Sequence, residues 1–197
     1  MNAQGFTLFD TAIGRCGLAW NDRGIVGVQL PEANEPKTRA RLQRRFPAAQ
    51  EAPPPAEVER AITGMVALLR GEARDLSAVA IDLDGLAEFE RRVCEAARAI
   101  PPGATLTYGE IAARLGDRAL ARDVGQALGR NPVPLIVPCH RVLAAGGKTG
   151  GFSANGGIAT KLRLLSIEGA RTGEEPTLFD RDRAFGLSVK PRRRSSR

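Results

Sequence analysis

The chain has 197 residues, 43% hydrophobic and 26% charged, with a net charge of +7. That composition fits one large globular domain or two small ones; it excludes a disordered chain, a collagen-like chain and a disulfide scaffold, and no apolar run of about 18 residues is present to span a membrane. The charge is uneven: residues 1–87 carry 10 Lys/Arg against 11 Asp/Glu, residues 88–170 carry 11 against 7, and residues 171–197 carry 8 against 4. The basic second part suits a polyanion partner, although a merely soluble basic protein has the same balance.

Residues 7–30 read as a hairpin or short meander, two apolar runs around the turn signal Asn21-Asp22-Arg23-Gly24. Residues 36–46 form a basic amphipathic helix, and Pro53-Pro54-Pro55 a stiff connector. Val58, Ile62, Met65, Val66 and Leu69 recur at helical spacing over Glu57–Gly71, and Ser77–Leu83 is a short β-like run. This first half reads as a small α/β module without a catalytic constellation. A boundary falls near Asp84-Gly85.

Beyond it, a helix over Ala87–Ala99 stops at Pro101-Pro102-Gly103. Thr107 and Glu110 form a capping box for a helix over Tyr108–Leu115, and a second helix covers Ala119–Gly129. Two short helices around Gly116 are a helix-turn-helix candidate, a pattern shared with ordinary helix pairs. Next come the apolar run Leu135-Ile136-Val137, then Pro138-Cys139-His140-Arg141, a glycine-rich loop and a helix over Ile158–Glu168. Residues 171–197 form a basic tail expected to be flexible.

Most of the chemistry lies around residue 139. His140 is the only histidine and directly follows a cysteine. The thiolate is the reactive form of cysteine, and His140, Arg141 and Lys161 supply cations that lower a thiol pKa. In an extended segment neighbouring side chains point to opposite faces, so a water between sulfur and imidazole is more plausible than direct contact. Glu168 is placed to orient the imidazole. The three cysteines (Cys16, Cys94, Cys139) are no disulfide framework, which favours a reducing, cytoplasmic setting. Cysteines and histidine match no zinc spacing, and neither a metal site nor a cofactor motif is visible.

The stretch NPVPLIVPCHRVLAAGGKTGGFSANGGIATKLRLLSIEGA, with IPPGATLTYGEIAARLG ahead of it, resembles the O6-alkylguanine-DNA alkyltransferases. The resemblance runs from about Phe89 to Ala170, more loosely over residues 5–86. It implies an α/β (α+β) fold: a ribonuclease-H-like N-terminal domain over 1–85, a mostly helical, winged-helix-like DNA-binding domain over 86–170, and the tail 171–197. It further implies a monomer that binds double-stranded DNA carrying O6-alkylguanine, without a cofactor, and moves the alkyl group irreversibly to its own cysteine.

Residue by residue, the resemblance makes Cys139 the alkyl acceptor, His140 its base through a water, Glu168 the residue holding His140, and Asn131 the brace of the turn before the active-site loop. Tyr108 contacts the extruded guanine and assists proton transfer, and Lys161 favours thiolate and leaving group. The carbonyls of Cys139 and Val142 read the guanine amino group, the Ser153 backbone donates toward O6, and Phe152 and Pro134 complete the substrate site. Arg122 enters the duplex where the base left, with Ala119, Ala121 and Arg141 also at the DNA. Departures from the family are Cys94 in place of an aromatic residue, Phe152 in place of a tyrosine, and Asp123, whose charge lies close to the phosphates. A non-enzymatic alkyltransferase-like binder is the first alternative, opposed by Cys139 itself. A thiol hydrolase is the second, opposed by the single, adjacent histidine.

Overall fold

The computed structural model describes residues 2–170; the basic tail lies outside the described residues. Three strands, β1 (Gly5–Thr11), β2 (Gly14–Asn21) and β3 (Gly24–Gln29), form an antiparallel meander. Of the two readings of residues 7–30, hairpin or short meander, the structure has the meander, beginning at Gly5. The second turn forms because the Asn21 side chain accepts from the Arg23 and Gly24 amides at 2.9 and 3.1 Å. Helix α1 (Glu35–Arg45), capped by Asn34, leads to the two-residue strand β4 (Gln50–Glu51), parallel to β1, and the sheet order is β3-β2-β1-β4.

Strand alternation sorts the core. Phe6, Ala19 and Val26 meet Leu42 and Phe46 under α1, while Cys16, Leu18 and Trp20 face the rest of the protein. A bulge at Ala19/Trp20 leaves Ile25 opposite Trp20 and Val28 opposite Leu18, so both join that second face. Helix α2 (Ala56–Leu69) follows Pro55 and packs Val58, Ala61, Met65 and Leu68 there. Ser77–Leu83 is not a strand. It touches β3 through one bridge, Ile25 to Ile81, because an Asp75–Ser77 side-chain turn and the inward Asp82 carboxylate interrupt any ladder on either side.

The second half is helical: α3 (Glu88–Arg98), α4 (Tyr108–Arg114), α5 (Ala121–Gly129) and α6 (Ile158–Ile167). The Thr107–Glu110 capping box is present in both directions. The helix expected from Ala119 starts as a single 3-10 turn, Arg118–Leu120, capped by Asp117. A short parallel pair, β5 (Leu106–Thr107) with β6 (Val142–Leu143), has no sequence signal, being only two residues per strand. The apolar core is continuous across the expected boundary: Leu18, Ile25 and Met65 belong to the same cluster as Val93, Ile111, Val124 and Val137.

Gly24 marks the closest approach of β3 to the 77–83 segment. Its φ is +143°, and a Cβ there would lie 2.6 Å from the Ala80 carbonyl oxygen. Neither the backbone angle nor the backbone neighbour can yield cheaply. Gly24→Ala is expected to lower stability by at least about 2 kcal/mol, read as a lower urea midpoint at unchanged slope.

Candidate active site

After α5 the chain turns back sharply. The Asn131 side chain splints the turn, with Oδ1 accepting from the Val133 amide at 3.0 Å and Nδ2 donating to the Val137 carbonyl at 2.8 Å. The Val137 amide donates to Val133 at 3.0 Å, and buried Leu135 sits at φ +75°, a strained angle held by the surrounding bonds. Cys139–Arg141 is a single 3-10 turn, which corrects the extended segment expected from sequence. Its three residues are all buried. Pairing of β6 with β5 brings Tyr108, the first residue of α4, beside this turn.

Glu168, just past α6, gathers the site. One carboxylate oxygen accepts from His140 Nε2 at 2.9 Å and Arg141 Nη2 at 2.8 Å; the other accepts from Arg141 Nε at 2.8 Å and the Gly103 amide at 3.4 Å. Burial opposes ionisation of this carboxyl, but the hydrogen bonds and charges of His140 and Arg141 overcome it and hold the pKa down to about 2. Burial lowers the His140 pKa, with Glu168 pulling partly the other way, so the imidazole is neutral near pH 7. An ionised carboxylate only accepts, so the network assigns the proton of neutral His140 to Nε2. The lone pair then sits on Nδ1, which is buried and has no partner among the described residues.

Arg141 does not meet the DNA-surface role expected of it. It is 4% exposed, forks onto Glu168 and donates through Nη1 to the Ile100 carbonyl at 2.5 Å. Its guanidinium is consumed in holding the carboxylate. The cationic field is corrected as well. Burial pushes the Cys139 thiol up, and the Asn131 amide and the Lys161 ammonium pull it down without reversing the shift. The resting thiol is therefore protonated, and its ionisation requires a base. Lys161 is fully buried; its ammonium donates to the Val142 carbonyl at 2.5 Å and lies 5.7 Å from the Tyr108 ring centre. Burial lowers its pKa to about 8, and Cys139 partly counters that.

In front of the thiol is a cleft of about 530 Å³. It brings together Cys139, Tyr108, Phe152, Ser153, Arg122 and Ala121 from the expected set. Arg122 and Ser153 are exposed. Gly150 makes room for the tyrosine: at φ +66°, a Cβ there would lie 3.1 Å from the ring. His140, Glu168, Asn131 and Lys161 stand behind the cleft wall, Pro134 and Val142 do not line it, and Ala119 is exposed in the turn before α5. The cleft also takes Gly125, Gln126 and Gly129, missed in the sequence. Their spacing from Arg122 along one helix face was the available signal.

A base-backed thiol opening beside the second helix of a helix-turn-helix points to DNA-handling proteins with a nucleophilic cysteine. Comparison with known proteins agrees. A family profile described as "6-O-methylguanine DNA methyltransferase, DNA binding domain" matches residues 88–170. A methylated-DNA-protein-cysteine methyltransferase of Mycobacterium tuberculosis is 35% identical over 175 residues, covering 89% of this chain and 98% of that protein. One from Methanothermobacter thermautotrophicus is 35% identical over 153 residues, 78% of each chain. The crystal structure of Mycobacterium tuberculosis OGT in complex with DNA matches with a TM-score of 0.67 and 32% identity, covering 88% of this chain and 97% of that one. The chain belongs to the methylated-DNA-protein-cysteine methyltransferase family.

Arg141→Met tests the buried fork. It leaves Glu168 with only His140 and the weak Gly103 contact, and breaking a buried pair in this way costs about 3–5 kcal/mol. The contribution of Glu168 to stability is present above its ordinary pKa of 4.5 and is lost as pH falls toward about 2. In the variant the folded-state value lies closer to 4.5, so less stability is lost on acidification than in the parent, read from unfolding midpoints between pH 7 and pH 2. The salt slope of DNA binding stays unchanged, because no phosphate contact is removed.

Proposed function

We propose that this protein repairs duplex DNA by taking the alkyl group of O6-alkylguanine onto the Cys139 sulfur in a single turnover, as a cytoplasmic monomer. The observation that carries this reading is the Cys139 thiol facing a cleft beside Arg122, backed by a histidine whose one free acceptor nitrogen is fixed by Glu168.

Guanine O6 lies in a stacked, paired base, so the nucleotide is rotated out at a cost of a few kcal/mol. Exposed Arg122 on α5 fills the gap and offsets part of that cost. The base enters the cleft beside Tyr108, with the Ser153 backbone toward O6. Nδ1 of His140, through a water, takes the thiol proton, and Glu168 stabilises the resulting imidazolium. Lys161 stabilises the thiolate. The S–C bond forms as the C–O6 bond breaks, and the leaving guanine takes the Tyr108 hydroxyl proton, which the Lys161 ammonium replaces once the thiolate is consumed. The thioether has no partner to displace it. Residues 1–85 and 86–170 serve as the two structural units, and the tail 171–197 adds non-specific attraction for phosphates. A damage binder without chemistry is disfavoured because the sulfur stands at the cleft.

Excess alkylated duplex should give a burst equal to the active protein and then stop. Mass spectrometry should place one alkyl group on Cys139, with none on Cys16 or Cys94, whose thiols burial pushes up to about 12 and which are fully buried and do not line this cleft. Cys139→Ser should still bind alkylated DNA but lose transfer. Sustained turnover would exclude the mechanism.

Arg122→Ala should slow repair of duplex DNA at least about tenfold, since tenfold in rate corresponds to only 1.4 kcal/mol of a larger extrusion cost. Its reaction with free O6-benzylguanine should stay near the parent rate. Equal losses on both substrates would exclude the extrusion role.

A further inference from the structure

Strand β3 is an edge of the sheet, and the hydrogen-bonding groups of its outer side need partners beyond the sheet. At Val28 the amide donates to the Pro132 carbonyl at 2.9 Å. In an antiparallel ladder such a pair would exchange a second bond, from the amide of residue 132 back to the Val28 carbonyl. Proline has no N–H to give. The missing donor comes from the last residue of α1. Arg45 Nη1 donates to the Val28 carbonyl at 3.0 Å, and Nη2 donates to the Pro132 carbonyl at 3.0 Å. The guanidinium therefore closes the half-made pair, and Pro132 O accepts from both sides.

Arg45 makes this clasp although it is exposed as a residue. Burial around its guanidinium lowers its pKa, with Arg41 adding to the effect, and no carboxylate pairs with it among the described residues. Its compensation is the two carbonyls and the face of Phe46, 5.2 Å from the guanidinium carbon. Phe46 in turn sits tightly over Gly27, where a Cβ would approach the ring to 2.5 Å.

Buried Pro132 directly follows Asn131, whose side chain splints the turn ending at Val137, and the Cys139 amide donates to the Val137 carbonyl at 2.8 Å. We propose that Arg45 is a positioning residue for Cys139: by completing the Val28–Pro132 pair it lets the N-terminal half fix the turn that carries the thiol. The transfer readout below rests on the proposed alkyl-transfer reading; the exchange readout does not.

The test compares Arg45→Met and Arg45→Lys with Arg41→Met in the full chain. Arg41 is on the same helix, and its ion pair is with the partly buried Glu32 at 3.2 Å, so its variant removes equal charge without touching the turn. Amide hydrogen exchange is read at Val28, Val133, Val137 and Cys139, with single-turnover transfer from free O6-benzylguanine and affinity for alkylated duplex. Arg45→Met should raise exchange at these amides at least about tenfold over any global change and slow transfer by a similar factor. Its duplex affinity should match that of Arg41→Met. Arg45→Lys, able to keep one of the two bonds, should fall between, and it decides the matter where Arg45→Met fails to fold. Unchanged exchange at Val133 and Val137 in folded Arg45 variants would overturn the proposal. So would a transfer loss that only follows duplex affinity. Faster exchange in a protein whose parent shows no transfer would sink the alkyl-transfer reading and leave the clasp standing.

Discussion

One buried carboxylate sets the terms for the site. Glu168 is 2% exposed at its side chain, and an ionised carboxylate in that position is tolerable only with most of its lone pairs taken. Two of the partners come from a single guanidinium in fork geometry, which Lys could not reproduce. The same guanidinium holds the Ile100 carbonyl at the end of α3, so the carboxylate, the Cys139–Arg141 turn and two helix ends form one rigid unit. The tautomer of His140 follows from this unit and not from the histidine itself.

That unit explains how a thiol can be reactive while its pKa is raised. A buried thiolate without compensation would be costly, and Asn131 and Lys161 only reduce the cost. Lys161 faces the mirror problem, a buried ammonium whose pKa falls to about 8. Each charge is best tolerated when the other is present. The proton therefore stays on sulfur until a base accepts it, and the field that awaits the thiolate is already built. Oxidation and stray electrophiles act mainly on thiolates, so a resting thiol is also protected.

Local signals in the sequence were the ones that translated directly. The Thr107–Glu110 box, the amphipathic run over 36–46 and the apolar spacing of α2 are local patterns, and each element starts or stops within about two residues of its expected place. The Pro-Cys-His-Arg motif located the thiol for the same reason. Of the long-range pairings, His140 with Glu168 was legible and Arg141 with Glu168 was not. Nothing near Arg141 announces Glu168, and a basic residue beside an active cysteine reads as surface charge until the fold buries it. Ser77–Leu83 has the composition of a strand, but a strand needs a neighbour, and β3 offers it only Ile25. The direction of the Cys139 shift depended on burial, which overrides the nearby cations that sequence could count.

The proline at 132 also bears on why the two halves form one core. A sheet edge that offered a full ladder would invite continued strand pairing, with this chain or another. Pro132 accepts one bond from β3 and can return none, so the sheet ends there and the chain leaves as a turn. The turn is then free to follow Asn131 in place of strand geometry, and its strained Leu135 buries into the shared core with Ile136 and Val137. The element that ends the sheet is thus the element that begins the active-site segment. Separating the halves would expose both the apolar face of β2–β3 and the underside of the turn, so the arrangement of the thiol depends on a core to which residues on both sides of Asp84 contribute.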